Sequence, residues 1–436
     1  MATSNIVVMS ARNKLPSDIT LLDAKSFWKQ QPLPEKTILL AEGLTPGNLL
    51  QLAYTTRVEN IVQREVMSLD QEIIAATALI SDPHAVLADA AKFILKSDYK
   101  TAFAQKFNSS GEKQNFLKVL RASSFNIPHA RASVDPITTI ADELFTNALY
   151  NAPTGHGGSR KSAVEIDPAL SAEIFLQHDD EHLLIGCRDR FGSLVLEAVL
   201  FNLYDIYQRG IASSIRPGTG GAGIGFRMMF GLCVSTYIIV DPGKQTLICF
   251  VLPLGARSKR RQSPFKNIHL RRVGSGLMNG LKIVRGSSND KEILQFFGPI
   301  NEDVKFEQVI LPEGAEIFLD MGGVTSMNSF GTKEFLTWTK EIQKQKRIVY
   351  LRCPQSIIDQ FSIVGGLLSE KSSVESLYVP YYCSHCEASS SILLDKKDFP
   401  IRGTNRVPSK GKCPNCEKDT ELDIIESEYF RFLTTI

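Results

Sequence analysis

The chain has 436 residues, 43% of them hydrophobic and 22% charged, which is an ordinary globular mixture with room for about three domains. Its net charge of +2 argues against nucleic acid as a partner, and no apolar run is long enough to span a bilayer. The first residues lack the charged and apolar regions of a signal peptide, so we expect a cytoplasmic protein.

Short apolar runs alternate with helical patterns over residues 1–83, which predicts a small parallel α/β module. This module resembles a degenerate receiver domain. Met9-Ser10-Ala11-Arg12 follows its first predicted strand, where a working receiver carries an acidic pair, so we expect no phosphotransfer chemistry there. Residues 84–127 are mostly helical and predict a connector or a segment through which a homodimer would form.

Residues 128–255 mix helices and strands and end in a predicted hairpin, an α+β pattern. The opening helix has an apolar stripe, and Glu143, Asn147 and Asn151 recur every four residues beside it. Residues at this spacing lie on one face of a helix. The flank is therefore either a solvated edge or one wall of a site.

Two further motifs in the same unit favour a nucleotide site. Asp189 and Gly192 directly follow a predicted strand, and a glycine-rich loop precedes an apolar helix. Such a loop lets backbone N–H groups approach phosphates, which the positive end of the helix also favours. The loop glycines are Gly218, Gly220, Gly221, Gly223 and Gly225.

Each polar residue has a chemical role in this reading, which predicts ATP and magnesium as cofactors. An amide such as Asn147 can ligate magnesium, with Asn151 beside it in the nucleotide site. The Asp189 carboxylate can accept a hydrogen bond from the adenine amino group. Glu143, one turn before the metal ligand, can take a proton from an attacking hydroxyl as the catalytic base.

This constellation resembles the ATPase fold shared by histidine kinases, gyrase and Hsp90-type proteins (the GHKL fold, an α/β sandwich). Within that superfamily it resembles the serine kinases of bacterial anti-sigma factors. The helix matches the N box, RDRFG the adenine-binding box, and GTGGAGIGF the last glycine box. Ser193 and Leu194 stand where a second glycine is usual, and Ala222 and Ile224 interrupt the last box.

Residues 256–272 are basic and rich in Ser and Pro. They predict a solvated linker, because no aromatic residues are interleaved with the charges as in single-strand binders. The alternative is a nucleic-acid patch, which would require binding that falls steeply with salt.

Residues 273–380 return to alternating strands and helices and resemble the STAS domain of anti-sigma-factor antagonists. The turn Asn328-Ser329-Phe330-Gly331 opens an amphipathic helix, so Ser329 is either a helix cap or a functional residue. The resemblance implies that Ser329 is the phosphoacceptor, with Asn328 in place of the usual Asp and Phe330 in place of a second Ser. A phosphate there would sit at a helix N-terminus, where negative charge is favoured.

Residues 381–436 contain two Cys-x-x-Cys pairs. Four thiolates can close the tetrahedral shell of a structural zinc ion, which predicts a zinc ribbon. The alternatives are two redox dithiols or plain surface cysteines. The predicted ligands are Cys383, Cys386, Cys413 and Cys416, with His385 as a neighbour.

Together these features predict a multidomain α/β and α+β protein that acts in bacterial signalling. It would bind ATP and magnesium and act as a protein serine kinase on a STAS domain, its own or that of a sigma-factor-type signalling partner. The alternative is a non-enzymatic scaffold that senses ATP and binds partners through its receiver-like and STAS-like domains. Nucleic acid and membranes are not expected partners.

Overall fold

A computed structural model describes most of the chain and divides it into two compact units. Unit 1 comprises Met1–Leu196 and Gly220–Leu277, and unit 2 comprises Glu197–Thr219 and Met278–Ile436. The described residues are 15–23, 36–56, 58–64, 66, 68–153, 163–209, 224–255, 265–274, 280–288, 291–386, 388–400, 407–413 and 416–434.

The described residues form helices and strands in a mixed order. The α-helices are α1 (Pro46–Thr56), α2 (Leu69–Ser81), α3 (Pro83–Ala88), α4 (Ala91–Ile94), α5 (Lys113–Phe125), α6 (Val134–Tyr150), α7 (Leu196–Arg209), α8 (Ile224–Leu232), α9 (Ser329–Gln343), α10 (Gln355–Ile363) and α11 (Glu426–Tyr429). The strands of unit 1 are β1 (Thr20–Asp23), β2 (Thr37–Ala41), β3 (Asn60–Gln63), β4 (Lys100–Phe107), β5 (Ala172–His178), β6 (His182–Asp189), β7 (Ser235–Asp241), β8 (Gln245–Pro253) and β9 (Asn267–Arg272). Those of unit 2 are β10 (Lys282–Ser288), β11 (Lys291–Ile300), β12 (Glu316–Met327), β13 (Arg347–Leu351), β14 (Ser372–Val374), β15 (Ser376–Cys383), β16 (Ala388–Asp395), β17 (Lys410–Lys412) and β18 (Asp419–Leu422).

Within its described residues, unit 1 is built on one nine-stranded sheet in the order β1-β2-β3-β9-β7-β8-β6-β5-β4. Strands β1 to β3 are parallel, and β9 pairs antiparallel with β3 and parallel with β7. Every pair in the run β7-β8-β6-β5-β4 is antiparallel. The parallel start and the β7–β8 hairpin agree with the patterns read from the sequence.

Helices cover both faces of the antiparallel part of this sheet. Helices α2 to α4 contribute residues such as Leu79 and Leu87 to a core that includes Leu247, Cys249 and Val251 of β8. The intervening residues of β8 point to the opposite face, where Phe250 contacts Phe226 of α8. Helix α6 packs against β5, β6 and α8 on that face and buries the apolar stripe seen in its sequence.

A fully buried polar network joins α2 to the centre of this sheet. Glu72 of α2 accepts hydrogen bonds from the Ser235 hydroxyl at 2.5 Å and the Tyr237 hydroxyl at 2.7 Å, and its carboxylate lies 2.7 Å from Nε2 of His269. The other ring nitrogen of His269 lies 3.1 Å from Oδ1 of Asn60. Buried polar groups need such partners, because an unpaired one costs the full desolvation penalty.

Two segments of unit 1 differ from the sequence-based expectation. The predicted helical connector, 84–127, contains β4, which forms one edge of the sheet. The predicted basic linker, 256–272, ends in β9, which lies inside the sheet between β3 and β7. Local charge suggested solvent exposure, but His269 and Asn267 are satisfied by distant side chains and are fully buried.

Unit 2 contains a five-stranded and a four-stranded sheet. The first has the order β10-β11-β12-β13-β14 and is parallel except for the β10–β11 pair, and the second has the antiparallel order β16-β15-β18-β17. One hydrophobic core unites them, since Tyr350 of the first sheet and Phe335 of α9 share it with Tyr381 and Phe430 of the cysteine-containing segment. The boundary expected at residue 380 falls inside β15.

Helix α7 belongs to unit 2 from Glu197 onward, although the sequence placed it in the ATP-binding domain. Arg352, which follows β13, explains its attachment. The guanidinium donates to Asp320 of β12 from Nε at 2.8 Å and lies 3.6 Å from the Asp205 carboxylate of α7. It also lies over the Phe201 ring, 5.0 Å from its centroid. The three charged groups are all buried, so this ion cluster fixes α7 to the sheet.

The described architecture is mixed α/β, in agreement with the expected class in that coarse form. Among the described residues, no helix combines the length and apolar character that crossing a membrane requires.

The Glu72 network predicts a pH-dependent contribution to stability. Burial raises the pKa of Glu72, but the hydrogen bonds from His269, Ser235 and Tyr237 outweigh it and hold the pKa below its usual 4.5. A carboxyl with a lowered pKa stabilises the fold above its unfolded-state value, and this stabilisation is lost as the pH falls through the folded-state pKa.

We therefore expect Glu72→Gln to lower the free energy of unfolding at pH 7 by about 3 kcal/mol, because it disrupts a buried charged network. The difference from the wild type should shrink as the pH falls below about 4.5, the usual pKa of a glutamate. Urea unfolding at several pH values measures this. Asp70→Asn, at an exposed position in the same helix, is the control and should cost less than about 1 kcal/mol. A pH-independent difference would contradict the assignment.

The Arg352 cluster predicts a large effect from one substitution. Arg352→Met leaves Asp320 and Asp205 buried without their cation, so we expect unfolding of unit 2 to become easier by about 3–5 kcal/mol. Thermal and urea denaturation measure this. Arg347→Met removes an arginine of β13 whose side chain is 49% exposed, and it should change stability by about 0.5 kcal/mol or less. Equal losses in the two variants would show that burial of the ion cluster is not what matters.

Candidate functional site

The polar flank of α6 is neither fully solvated nor fully buried. Glu143, Asn147 and Asn151 are all half-buried. Nδ2 of Asn151 donates a hydrogen bond to Oδ1 of Asn147 at 2.7 Å. A carbonyl oxygen has two lone pairs, so Oδ1 of Asn147 can accept this hydrogen bond with one and coordinate a cation with the other.

Asp189 ends β6 and is 8% exposed. Its Oδ1 accepts hydrogen bonds from the backbone N–H groups of Phe191 at 2.9 Å and Gly192 at 3.3 Å. One carboxylate oxygen thus shapes the turn, as aspartates after strands often do. Burial raises the pKa of Asp189, and the bonds to these backbone N–H groups oppose that effect.

Gly192 is required by the shape of this turn. Its φ is +59°, and a Cβ atom there would lie 2.1 Å from the carbonyl oxygen of Asp241 in the β7–β8 turn. The next residue, Ser193, donates a hydrogen bond from its hydroxyl to the carbonyl oxygen of Ala152 at 2.7 Å. The Asp189 turn is therefore held against the C-terminal end of α6.

Gly225 brings the glycine-rich motif to the same helix. It is the second residue of α8, and a Cβ atom there would lie 2.1 Å from Oε1 of Glu143. Only glycine lets the two helices approach this closely. The carboxylate therefore lies beside the N-terminal turn of α8, where a negative charge is also favoured by the helix dipole. Four of the predicted loop glycines, Gly218, Gly220, Gly221 and Gly223, lie outside the described residues.

Thr246 is a candidate site residue that the sequence patterns did not indicate. It pairs directly with Asp189 across strands β8 and β6, so the two side chains are on one face of the sheet. The Thr246 hydroxyl lies beside the carboxylate, close enough to lower the pKa of Asp189 against the larger, opposite effect of burial. A fully buried hydroxyl beside a buried carboxylate offers two adjacent polar groups to a ligand.

No local signal marks Thr246, because the pairing of β6 with β8 joins strands that are distant in sequence. It is the second residue of the strand QTLICFVLP, and a threonine at such a position is common in strands of any function. Only the register of the sheet identifies it.

In unit 2, Ser329 is the first residue of α9 and is exposed. The capping role belongs to Asn328, whose Oδ1 accepts a hydrogen bond from the Gly331 backbone N–H at 2.8 Å. The alternative in which Ser329 is the helix cap is therefore wrong. A Cβ atom at Gly331 would lie 2.1 Å from the Ile300 carbonyl oxygen, which explains the glycine. The neighbouring Phe330 is 67% exposed.

The four paired cysteines form one cluster, with all their sulfur atoms within 4.8 Å of one another. The Sγ atoms of Cys383 and Cys416 are 3.6 Å apart, and those of Cys386 and Cys413 are 3.5 Å apart. Tetrahedral zinc with bonds of about 2.3 Å needs sulfur atoms about 3.8 Å apart. The cluster can therefore hold a metal ion such as zinc.

The four thiols differ in their pKa. Backbone N–H groups of Cys386 and His385 lower the pKa of the Cys383 thiol to about 7, whereas burial and hydrogen bonds with the other thiols raise the pKa of Cys386 to about 12, so a metal would have to displace that proton on binding. The sulfur atoms come from two separate points of the four-stranded sheet, since Cys383 ends β15 and Cys413 directly follows β17. The metal would join segments that share the core of unit 2, and its role would be structural.

We expect purified, reduced protein to contain one zinc ion per chain. Cys386→Ser should lose the metal and lower the melting temperature, because one of four thiolate ligands is removed. His385→Ala, at the exposed residue between the first two cysteines, should keep the metal. Elemental analysis and thermal denaturation measure both properties. Metal loss in His385→Ala would revise the ligand set, and metal-free wild-type protein would contradict the site.

The comparisons with known proteins found no relative of this chain. No protein-family model matches the chain, and no curated protein sequence matches it. The ATP-binding and STAS-like assignments therefore stay predictions from motifs. The contacts among those motifs are independent of any resemblance.

Proposed function

We propose that this protein is a bacterial signalling regulator that binds ATP with magnesium and phosphorylates a serine of a STAS-like domain. One observation carries the proposal: in unit 1, the Asp189 turn and the described end of the glycine-rich motif, which are separate in sequence, both contact the α6 segment. Ser193, beside the Asp189 turn, contacts the end of α6, and Glu143 of α6 contacts Gly225 of the glycine-rich motif.

Adenine would bind at the end of the site formed by β6 and β8. The Asp189 carboxylate would accept a hydrogen bond from the exocyclic amino group, using the oxygen that does not hold the turn. The Thr246 hydroxyl would provide a second polar partner for the ring. Burial of both residues makes these hydrogen bonds discriminating, because a base that fails to satisfy them leaves polar atoms unpaired.

The phosphates would lie toward the N-terminus of α8, where backbone N–H groups and the helix dipole favour anions. The amide oxygen of Asn147 would hold the magnesium ion, which neutralises charge on the phosphates. Asn151 fixes the orientation of that amide through its 2.7 Å hydrogen bond.

Glu143 would act as the general base. Its carboxylate would take the proton of a serine hydroxyl as the serine oxygen bonds to the γ-phosphorus, and the bond to the bridging oxygen would break to release ADP. The acceptor would be exposed Ser329, in this chain or another copy, or the matching serine of a separate STAS-domain partner. A phosphate on Ser329 would add negative charge beside exposed Phe330 and so alter a binding surface.

A specific contact favours a second function, a non-enzymatic scaffold that senses ATP. The Glu143 carboxylate lies against Gly225 at the start of α8, so it can stabilise that helix end without accepting a proton. The protein would then bind nucleotide and signalling partners without transferring phosphate.

Two substitutions test the shared nucleotide site and the catalytic role of Glu143 in turn. Asp189→Asn keeps the oxygen that holds the turn but replaces the one facing adenine with an NH2 donor, so it should abolish magnesium-dependent ATP binding. Glu143→Gln keeps the shape of the side chain but accepts no proton, so it should preserve ATP affinity and lower serine labelling by about 100-fold or more. Binding is measured with a fluorescent ATP analogue, and labelling is measured with γ-labelled ATP on this chain and on added STAS-domain protein.

Three results would count against the proposal. Wild-type protein without ATP binding would remove both functions. Binding without labelling of any serine would favour the scaffold, and unchanged transfer in Glu143→Gln would assign the base to another residue. Ser329→Ala serves as the acceptor control and should lose labelling only where this chain is its own substrate.

A further inference from the structure

The four-cysteine cluster is only partly shielded from solvent. Cys386 is exposed and Cys416 is half-buried, whereas Cys383 and Cys413 are buried. His385, which precedes Cys386 in the turn, is exposed as well and does not cover it. A structural zinc site needs no ligand that faces solvent, but exposure is what opens a cysteine to oxidation.

The contacts between the sulfur atoms run from one hairpin to another. Cys383 and Cys386 lie at the turn between β15 and β16, and Cys413 and Cys416 lie at the turn between β17 and β18. The contacts join Cys386 to Cys413 at 3.5 Å and Cys383 to Cys416 at 3.6 Å. Each contact pairs a buried sulfur with a more exposed one from the other hairpin. Oxidation of the exposed member would therefore find a second thiol already beside it.

A covalent bond between the hairpins would do what a metal ion does there. In the described residues, β15 and β18 pair at only two positions, so little backbone bonding joins the two hairpins. The contacting cysteines are 27 and 33 residues apart in sequence, whereas the cysteines within one Cys-x-x-Cys pair are only three apart. A disulfide that closes a long loop restricts the unfolded chain more than one that closes a short loop. Disulfides between the hairpins would therefore stabilise unit 2, and disulfides within each pair would not.

We propose that the cysteine cluster is a site of reversible oxidation by hydrogen peroxide, in which the disulfides Cys386–Cys413 and Cys383–Cys416 replace the metal ion and keep the two hairpins joined. Unit 2 would then stay folded in both reducing and oxidising conditions. The proposal concerns the cysteine cluster and is independent of the nucleotide site.

Each disulfide is formed by a two-electron oxidation that consumes one peroxide. The Cys386 sulfur attacks a peroxide oxygen, the O–O bond breaks, one water leaves, and the sulfur becomes a sulfenic acid. The Cys413 sulfur then attacks the oxidised sulfur, the S–S bond forms, the S–O bond breaks, and a second water leaves. Thiolates released from the metal take the two matching protons from solvent. A second peroxide joins Cys383 to Cys416 in the same way, which leaves no thiolate to hold the metal.

The test begins with reduced, zinc-loaded protein and hydrogen peroxide. A chromogenic chelator measures released zinc, and peptide mass spectrometry maps the disulfides. We expect release of one zinc ion per chain, formation of both disulfides between the hairpins, and recovery of the thiols and of zinc binding after dithiothreitol. The internal control is the set of four other cysteines, all buried, which should stay reduced: Cys187, Cys233, Cys249 and Cys353.

Thermal denaturation tests whether the disulfides replace the metal. Oxidised, zinc-free protein should melt close to the zinc-loaded protein, whereas reduced protein stripped of zinc should melt about 5 °C or more lower. Two matched variants, each lacking one thiol of the same hairpin, test the partner of Cys386. Cys413→Ser should let dimedone trap severalfold more sulfenic acid on Cys386 than Cys416→Ser, in which the Cys386–Cys413 disulfide can still form.

The disulfide map of the wild type decides the pairing even if neither variant folds. Disulfides within either Cys-x-x-Cys pair, sulfonic acids without disulfides, or equal oxidation of the four buried cysteines would overturn the proposal. Oxidised protein that melts as low as the reduced, zinc-free protein would also overturn it, as would wild-type protein that holds no zinc to release. The experiment uses no nucleotide, so its failure is distinct from failure of the proposed function.

Discussion

The hydrogen-bond network around Glu72 is the constraint on which unit 1 depends, because it holds β9 at the centre of the nine-stranded sheet. Strand β9 lies between β3 and β7, so it joins the parallel strands β1 to β3 to the antiparallel strands that begin with β7. The network is buried and charged, so each of its members needs the others. His269 supplies the contact from β9, and Ser235 and Tyr237 supply those from β7.

The same strand links the sheet to the candidate nucleotide site. Lys266 immediately precedes β9 and holds one end of α8, whose other end packs on Glu143. Helix α6, which carries Glu143, is in turn held to the Asp189 turn through Ser193 and Ala152. The site is therefore formed by close packing of three elements on one sheet, and glycines at two positions permit that packing. This arrangement is suited to a rigid polar ligand, since side chains on packed elements are preorganised.

Several charged side chains that the sequence suggests are exposed to solvent instead form hydrogen bonds and ion pairs inside the fold. Lys266, Arg271 and His269 come from a segment that reads as a solvated basic linker, yet they bond to helix carbonyls, to Glu59 and to Glu72. In unit 2, Arg352 similarly lies among Asp320 and Asp205 and fixes α7 to its sheet. Such buried pairs contribute less net stability than apolar packing would, but removing one partner is costly, so they specify which elements lie together.

The sequence by itself determined the local elements and the cysteine cluster. Periodicity identified α6, α9 and the β7–β8 hairpin because it reflects which face of an element is buried, and the Cys-x-x-Cys spacing brought two thiols together at each turn. Only the tertiary structure decided that β9 lies inside a sheet, that Thr246 faces Asp189, and that α7 belongs to unit 2. Those features depend on pairing between segments far apart in the chain. The spacing of apolar and polar residues within one segment shows which face is buried, but it does not show which distant segment packs there.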